Sequence, residues 1–278
     1  MKRYLVFLPS VLFSILSAQI SISGKIIDDK NEVIPYAAIG SLKHTTAVLS
    51  NEKGTFRLEL GVYDETDSIK FYAIGYKEQY IPIIQLKTSG PNEIRLLPSD
   101  QQLAEVEVNA KKLFRKKLGV TTYDKTNCTG FVGLENNWKG VEAAIRIPND
   151  NKKLLKVVDF QFYIIKNQLP DSLVFRLNIY SSNEFYPTKN ILKKSIIFKT
   201  NIKQGEVSLD LSAYDIRAYD DFFVSLECLM EKVSIKDFCF AGQNSEPAYI
   251  RESVFNKWKK VRGGGGAFNV SVLYQKKS

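Results

Sequence analysis

Histidine is nearly missing from this 278-residue chain: His44 is its only one. Nucleophilic catalysis by serine or cysteine ordinarily needs a positioned base, most often histidine. His44, in Leu42-Lys43-His44-Thr45, falls between two expected strands and reads as a solvated loop residue. A zinc peptidase needs several His or carboxylate ligands at short spacing, which one histidine without a His-x-x-Glu pair does not supply. No dinucleotide fingerprint or P-loop occurs. Gly263-Gly264-Gly265-Gly266 lacks the following Lys-Ser/Thr and helix, so the run is expected to be a mobile loop near Trp258. Asp28-Asp29 and Asp220-Asp221 cluster oxygens, yet neither has the alternating spacing of a calcium loop. We therefore expect no cofactor and no metal.

Cysteine is scarce as well. Cys128, Cys228 and Cys239 allow at most one bridge in an oxidising compartment. Cys228 and Cys239 would face each other if Val233-Ser234 were a hairpin tip. The expectation preferred here is three small buried thiols, since free cysteine is commonly buried. Long apolar runs are lacking beyond the N-terminus. There, Lys2 and Arg3 precede the apolar stretch Tyr4 to Leu16, and Ser17-Ala18 precede Gln19. That is the layout of a secretory signal peptide cleaved after Ala18, and the stretch is shorter than the roughly 18 residues a spanning helix needs. After cleavage no membrane span is expected. A transmembrane barrel is disfavoured because strand lengths are uneven and charges such as Asp159 and Arg176 interrupt the outward apolar band.

The formal charge is +9. Part of it sits in Lys111, Lys112, Arg115, Lys116 and Lys117, against Glu105 and Glu107, and the rest is spread over the second half. No basic stripe with interleaved aromatics marks a nucleic-acid surface. The excess suits a solvated surface and an anionic partner such as lipid headgroups or acidic glycan.

What is abundant is alternation. Ile20-Ser21-Ile22-Ser23 alternates apolar and polar, as does Phe56, Leu58 and Leu60 with Thr55, Arg57 and Glu59. Such alternation marks half-buried strands. Further strands are expected at Tyr36 to Leu42, Thr45 to Leu49, Ser68 to Ala73, Glu78 to Ile84 and Glu93 to Leu97, with turns at 28–32 and 51–54.

Four blocks then occur in order: Gly24-Lys25-Ile26-Ile27-Asp28, Val33-Ile34-Pro35-Tyr36-Ala37-Ala38-Ile39, Ser50 to Leu58, and Ile74-Gly75-Tyr76. Over about residues 20–97 the chain resembles the carboxypeptidase-regulatory-like domain. The resemblance implies a transthyretin-like seven-stranded Greek-key sandwich. Two turns depart from the pattern: Asn51 stands where Asp is commoner, and Asn31-Glu32 replaces the usual Gly. Such domains often open outer-membrane receptors and other Gram-negative envelope proteins, and Leu103-Ala104-Glu105-Val106-Glu107-Val108 looks similar to the stretch that follows them there. These 278 residues are too few for a receptor's plug and barrel, so the expectation is only the front end of such a protein joined to something else. The resemblance implies no peptidase activity, the domain being an accessory to a catalytic one.

We divide the chain into a signal peptide (1–18), this sandwich (19–100), a basic linker (101–118) with a short helix expected over 111–118, and a second unit (119–278). In the second unit 157–165, 173–180, 196–198, 206–211, 222–228 and 268–274 read as strands rich in β-branched and aromatic residues. A jelly-roll-like antiparallel β-sandwich is expected, making the whole chain all-β.

Candidate chemistry is thin. Glu227, with Asp210 or Asp220-Asp221, would make a carboxylate hydrolase only with a second acid roughly 5–10 Å away in an open cleft. The bland alternatives are a turn cap for Asp210 and a basic partner for Glu227. Tyr249, Arg251 and Trp258 form a speculative binding set, with sugar stacking on an exposed Trp258 weighed against burial in the core. No catalytic residue is assigned. The leading expectation is a non-catalytic exported envelope protein, in the periplasm, at the outer membrane or secreted, that binds or scaffolds an envelope protein or glycan. A carbohydrate-binding accessory is the first alternative and the carboxylate hydrolase the second.

Overall fold

A computed structural model describes residues 20–41, 43, 46–61, 63–64, 66–99, 112–131, 138–244 and 247–275. The expected signal peptide, His44 and the first eleven positions of the expected linker, 101–111, lie outside them. Among the described residues no helix is long and apolar enough to cross a membrane.

The first unit has seven strands, as expected: β1 (Ile20–Ile27), β2 (Ala38–Ser41), β3 (Ala47–Leu49), β4 (Thr55–Leu60), β5 (Ser68–Tyr72), β6 (Gln79–Pro82) and β7 (Asn92–Arg95). They form two sheets, ordered β4-β1-β7 and β3-β2-β5-β6. Along β4, Phe56, Leu58 and Leu60 are buried while Thr55, Arg57 and Glu59 are exposed. A one-residue slip would turn all three apolar side chains outward, so this alternation fixes the register with β1. Ile22, Ile26, Ile39, Leu58, Ile69 and Phe71 fill the space between the sheets.

Both departing turns have a physical account. Asn31 holds φ 65°, a left-handed conformation that asparagine tolerates better than most side chains. Asn51 Oδ1 accepts the N–H of Lys53 (2.9 Å) and of Thr55 (3.0 Å), the turn-closing bonds an aspartate would also make.

The second unit begins with β8 (Leu113–Gly119), β9 (Cys128–Thr129), β10 (Glu142–Ile147), β11 (Leu155–Asn167), β12 (Leu173–Ser182), β13 (Pro187–Asn190), β14 (Ile196–Thr200) and β15 (Gly205–Asp210). It continues with β16 (Ile216–Ala218), β17 (Phe222–Cys228), β18 (Phe238–Gln243), β19 (Ala248–Arg251), β20 (Lys259–Val261), β21 (Gly265–Gly266) and β22 (Asn269–Gln275). One sheet runs β13-β12-β17-β10-β19-β20, with β14 also on β12. The other runs β21-β18-β11-β22-β8, with β15 and β16 on β11 and β9 on β18. Every pairing in this unit is antiparallel. Phe131, Phe160, Phe162, Phe175, Phe240 and Phe268 fill the core, with Phe240 and Phe268 centroids 5.2 Å apart. Burying each such ring contributes about 1.5–3 kcal/mol. The molecule is thus all-β, a sandwich followed by a larger sandwich.

Three expectations need correction. The 111–118 stretch is not a helix: from Leu113 onward it is β8, an edge strand paired residue by residue with β22. The three cysteines are not all free thiols, and Cys228 and Cys239 do not close a hairpin either, because β17 and β18 belong to opposite sheets. Cys239 instead bonds Cys128, at a Cα separation of 5.6 Å, and Cys228 alone stays free and buried. Nor is 263–266 a mobile loop. Gly265–Gly266 pairs with Gly242–Gln243 and is buried, and Thr129 Oγ1 donates to the Gly264 carbonyl (2.8 Å).

The two units touch closely. Ile74 of the first packs into the core of the second. Its neighbour Gly75 has φ 90°, and a Cβ there would sit 2.4 Å from the Lys193 carbonyl oxygen. Glycine is needed twice over at this point, for the left-handed backbone and for the close approach. Gly75→Ala is expected to cost about 1–3 kcal/mol, read as a lowered thermal midpoint. An unchanged midpoint would show that this contact does not hold the units together.

Candidate functional site

The outer face of the second unit's first sheet carries the polar residues that function would use. In a β-strand alternate side chains share a face, so Arg176, Asn178 and Tyr180 of β12 face the same way as Glu227, Ser225 and Phe223 of β17. Register places Arg176 beside Glu227, Glu227 beside Glu142 of β10, and Glu142 beside Arg251 of β19. The result is a row of charges, plus, minus, minus, plus, across four neighbouring strands.

Two carboxylates side by side on a sheet repel, and each here is matched by its own arginine. Arg176 Nη1 donates to Glu227 Oε2 at 3.1 Å. Arg251 donates to Glu142 Oε2 through Nε at 2.7 Å and pairs with it through Nη2 at 2.6 Å. The Asn178 amide donates to both acids, to Glu142 Oε1 at 2.8 Å and Glu227 Oε2 at 3.3 Å. The Ser225 hydroxyl donates to Glu142 Oε1, and Arg251 Nη2 donates to the Tyr180 hydroxyl at 2.5 Å. All four charged side chains are at most 8% exposed.

The first unit forms part of the lid. Arg176 Nη2 donates to the Tyr36 carbonyl at 2.5 Å, and Tyr36 holds φ 54°. The Tyr36 hydroxyl donates to Glu52 (3.0 Å), which also accepts from Lys199 Nζ across the boundary (2.5 Å). Burial pushes the Glu227 carboxyl up, with Arg176 and Arg251 pulling it back and Glu142 adding to the rise. Burial opposes the charge of Arg251, but Glu142 and Tyr180 outweigh it and its pKa is raised. Burial holds the Tyr180 phenol well above its ordinary value.

This arrangement bears on each candidate. Glu227 is buried against Arg176, so it does not provide the open pair of acids a glycoside-cleaving site requires. Glu142 was missed: in Glu142-Ala143-Ala144 nothing local marks it, since its partners lie on three other strands. Asp210 accepts the Ser212 N–H (2.9 Å), a turn cap, and that bond lowers its carboxyl. Among the described residues no three His, Cys, Asp or Glu side chains converge as metal ligands.

Tyr249, Arg251 and Trp258 do come together on the one face. Trp258 stands edge-on to Tyr180 (5.6 Å), with the Arg251 guanidinium 4.5 Å from its ring centroid. They do not form an exposed flat platform: Tyr249 is 3% exposed, wedged edge-on against Phe223 (4.8 Å) and Tyr186 (5.9 Å).

Further along the same face the sheet opens into a cleft of about 900 Å³. Tyr249 and Arg146 line it from the sheet, Asp220 and Asp221 from the loop before β17, and Ser182 to Phe185 from the β12–β13 turn. Arg146 pairs with Asp221, whose Oδ1 also accepts the Asn149 N–H at 2.7 Å. Phe185 is 63% exposed and Tyr219, next to Asp220, is 60% exposed. Both are held by fixed turns. Asn183 Oδ1 accepts the N–H of Tyr186 (2.9 Å), and Asn149 Nδ2 donates to the Tyr219 carbonyl (2.6 Å).

Residues 22–108 match the CarboxypepD_reg-like domain family, so the first unit is a carboxypeptidase-regulatory-like domain, as its sequence blocks indicated. No curated protein matches the chain.

Proposed function

We propose that this chain is a non-catalytic, exported envelope protein whose two sandwiches act as one body and whose binding site is the open cleft of the second. The observation that carries this reading is the split along a single sheet face. The strongest charges are buried and neutralised pairwise where the first unit covers them. Two well-exposed aromatics on fixed turns, Phe185 and Tyr219, stand beside an open polar cleft that Phe185 itself lines. Concave sites with a few placed polar groups are where ligands bind, and carboxylates locked to arginines are poor proton carriers. Export is supported by the layout of the first eighteen residues and by the Cys128–Cys239 bond, which needs an oxidising compartment to persist.

The test is co-sedimentation of purified residues 19–278 with isolated envelope fragments. We expect binding that the double variant Phe185→Ala/Tyr219→Ala loses by about tenfold, with its thermal midpoint unchanged because both side chains are exposed. Sedimentation indifferent to that variant removes the cleft from the reading. Release of soluble fragments from the envelope by the protein removes the word non-catalytic.

A further inference from the structure

We infer that the cleft takes an uncharged oligosaccharide chain. This rests on the cleft being the binding site and goes on to name its ligand. The cleft differs from the molecule as a whole in charge. The chain carries +9, but the cleft is lined by Arg146, Lys152 and Lys260 against Asp150, Glu184, Asp220 and Asp221. Three cations face four anions, so neither an anionic headgroup nor an acidic glycan meets a favourable field there.

The polar groups are also of both kinds and partly uncommitted. Among the described residues Asp150, Glu184 and Asp220 have no side-chain hydrogen bond or ion pair with another residue. They are free acceptors, and the ammonium groups of Lys152 and Lys260 are donors beside them. Hydroxyl groups both donate and accept, so a ligand dense in them satisfies a mixed lining that a single-sign ligand cannot.

The aromatics supply the other half. A sugar ring presents C–H bonds on its faces, which pack on aromatic faces with the ring hydroxyls left free at the edge. Phe185, at a turn tip stiffened by Asn183 and by Ser182 Oγ accepting the Glu184 N–H (3.0 Å), offers such a face at one wall of the cleft. Tyr219, exposed next to Asp220 of the cleft's acidic loop, offers another at its rim. A rigid exposed aromatic binds with little loss of side-chain freedom. A peptide is the weaker fit. Peptides taken by sheets add along an unpaired strand edge, whereas Arg146 and Tyr249 sit on the interior strands β10 and β19 and present the sheet's face.

Affinity electrophoresis through gels containing xylan, mixed-linkage β-glucan, galactomannan, arabinan or starch tests this, with polygalacturonate as the acidic control. Retardation by at least one neutral polymer is expected, persisting at high salt, weakened about tenfold by Phe185→Ala and restored by Phe185→Tyr. Calorimetry with the hexasaccharide of the retarding polymer should give the same order. Three results overturn the inference: no retardation by any neutral polymer, retardation that Phe185→Ala leaves unchanged, or retardation by polygalacturonate alone that salt abolishes. Should sugars fail while envelope binding stays sensitive to Phe185→Ala/Tyr219→Ala, the cleft stands and only its ligand is wrong. Loss of both removes the binding site itself.

Discussion

Replacing Arg176 with methionine is expected to cost about 3–5 kcal/mol of stability at neutral pH, the range for breaking a buried ion pair from one side. Methionine keeps much of the apolar stem, so the loss is chiefly electrostatic. Glu227 is left in the interior beside Glu142, with only Arg251 to serve both acids. The Tyr36 carbonyl loses its donor at the same time. The pH dependence has a definite sign. Burial already raises the Glu227 carboxyl in the native protein, with Arg176 the largest force pulling it down. In the variant that pull is gone and the folded pKa rises further. A group whose folded pKa is raised is favourable to folding when protonated. That contribution is fully present below the ordinary carboxylate range and is lost as pH rises through the folded pKa. Arg176→Met should therefore lie closest to the native protein in acid and fall away from it as pH increases. Urea midpoints across that span would show it. Adding Glu227→Leu should recover most of the loss, since an apolar replacement for a buried pair is often neutral or better. A single variant as stable as the native protein at neutral pH would show that the charge row contributes nothing.

That row also shows what a sequence can and cannot disclose. β4 is legible because its two-residue period is unbroken and only one of its faces is covered. β8 is not. Arg115, Lys116 and Lys117 stand together on a solvent-facing edge strand, where lysine and arginine protect against edge-to-edge pairing, and they hide the half-buried Phe114 and Leu118. Arg176 was legible as an interruption of an apolar band. What it pairs with was not legible locally, because Glu227 lies on β17, brought beside it only by strand register, and the Tyr36 carbonyl that also accepts from it belongs to the first unit. The first unit itself was read most fully, since its turn residues act locally: Asn51 closes its own turn and Asn31 supplies its own left-handed residue. The cleft draws on the β12–β13 turn, the loop before β17, and β10, β19 and β20. Each segment alone reads as ordinary loop or strand. Tyr249 was singled out for an exposure it does not have.

Removing the Cys128–Cys239 bond by Cys128→Ala/Cys239→Ala should lower stability by about 2–5 kcal/mol. The two cysteines are 111 positions apart, and closing a loop of that length removes about 4.7 kcal/mol of chain entropy from the unfolded state in the loop-closure account. The site makes the upper half of the range the expected one. β9 is only two residues long and pairs with β18 at Thr129 and Cys128 alone, so beside the Thr129 bond to the Gly264 carbonyl the bridge is a large share of what holds it. Phe131, two residues on, is core and meets Trp138, Phe175 and Phe240 edge-on or tilted. Freeing β9 loosens the ring cluster as well as the bridge. Reductant should produce the same fall in the native protein and none in the variant. The third cysteine provides the internal control. Burial pushes the Cys228 thiol up to about 12, and it lies within the core away from any partner cysteine, so it should be silent toward thiol reagents until the protein unfolds. The native protein should then show no reactive thiol, one when denatured, and three when denatured and reduced. Two reactive thiols on denaturation of an unreduced sample would contradict this, and three would mean no bridge had formed. Because the bond survives only in oxidising surroundings, residues 19–278 made in a reducing cytosol should begin with the variant's lower stability and regain the difference on oxidation. Failure to regain it would separate the bridge from the stability of the folded protein.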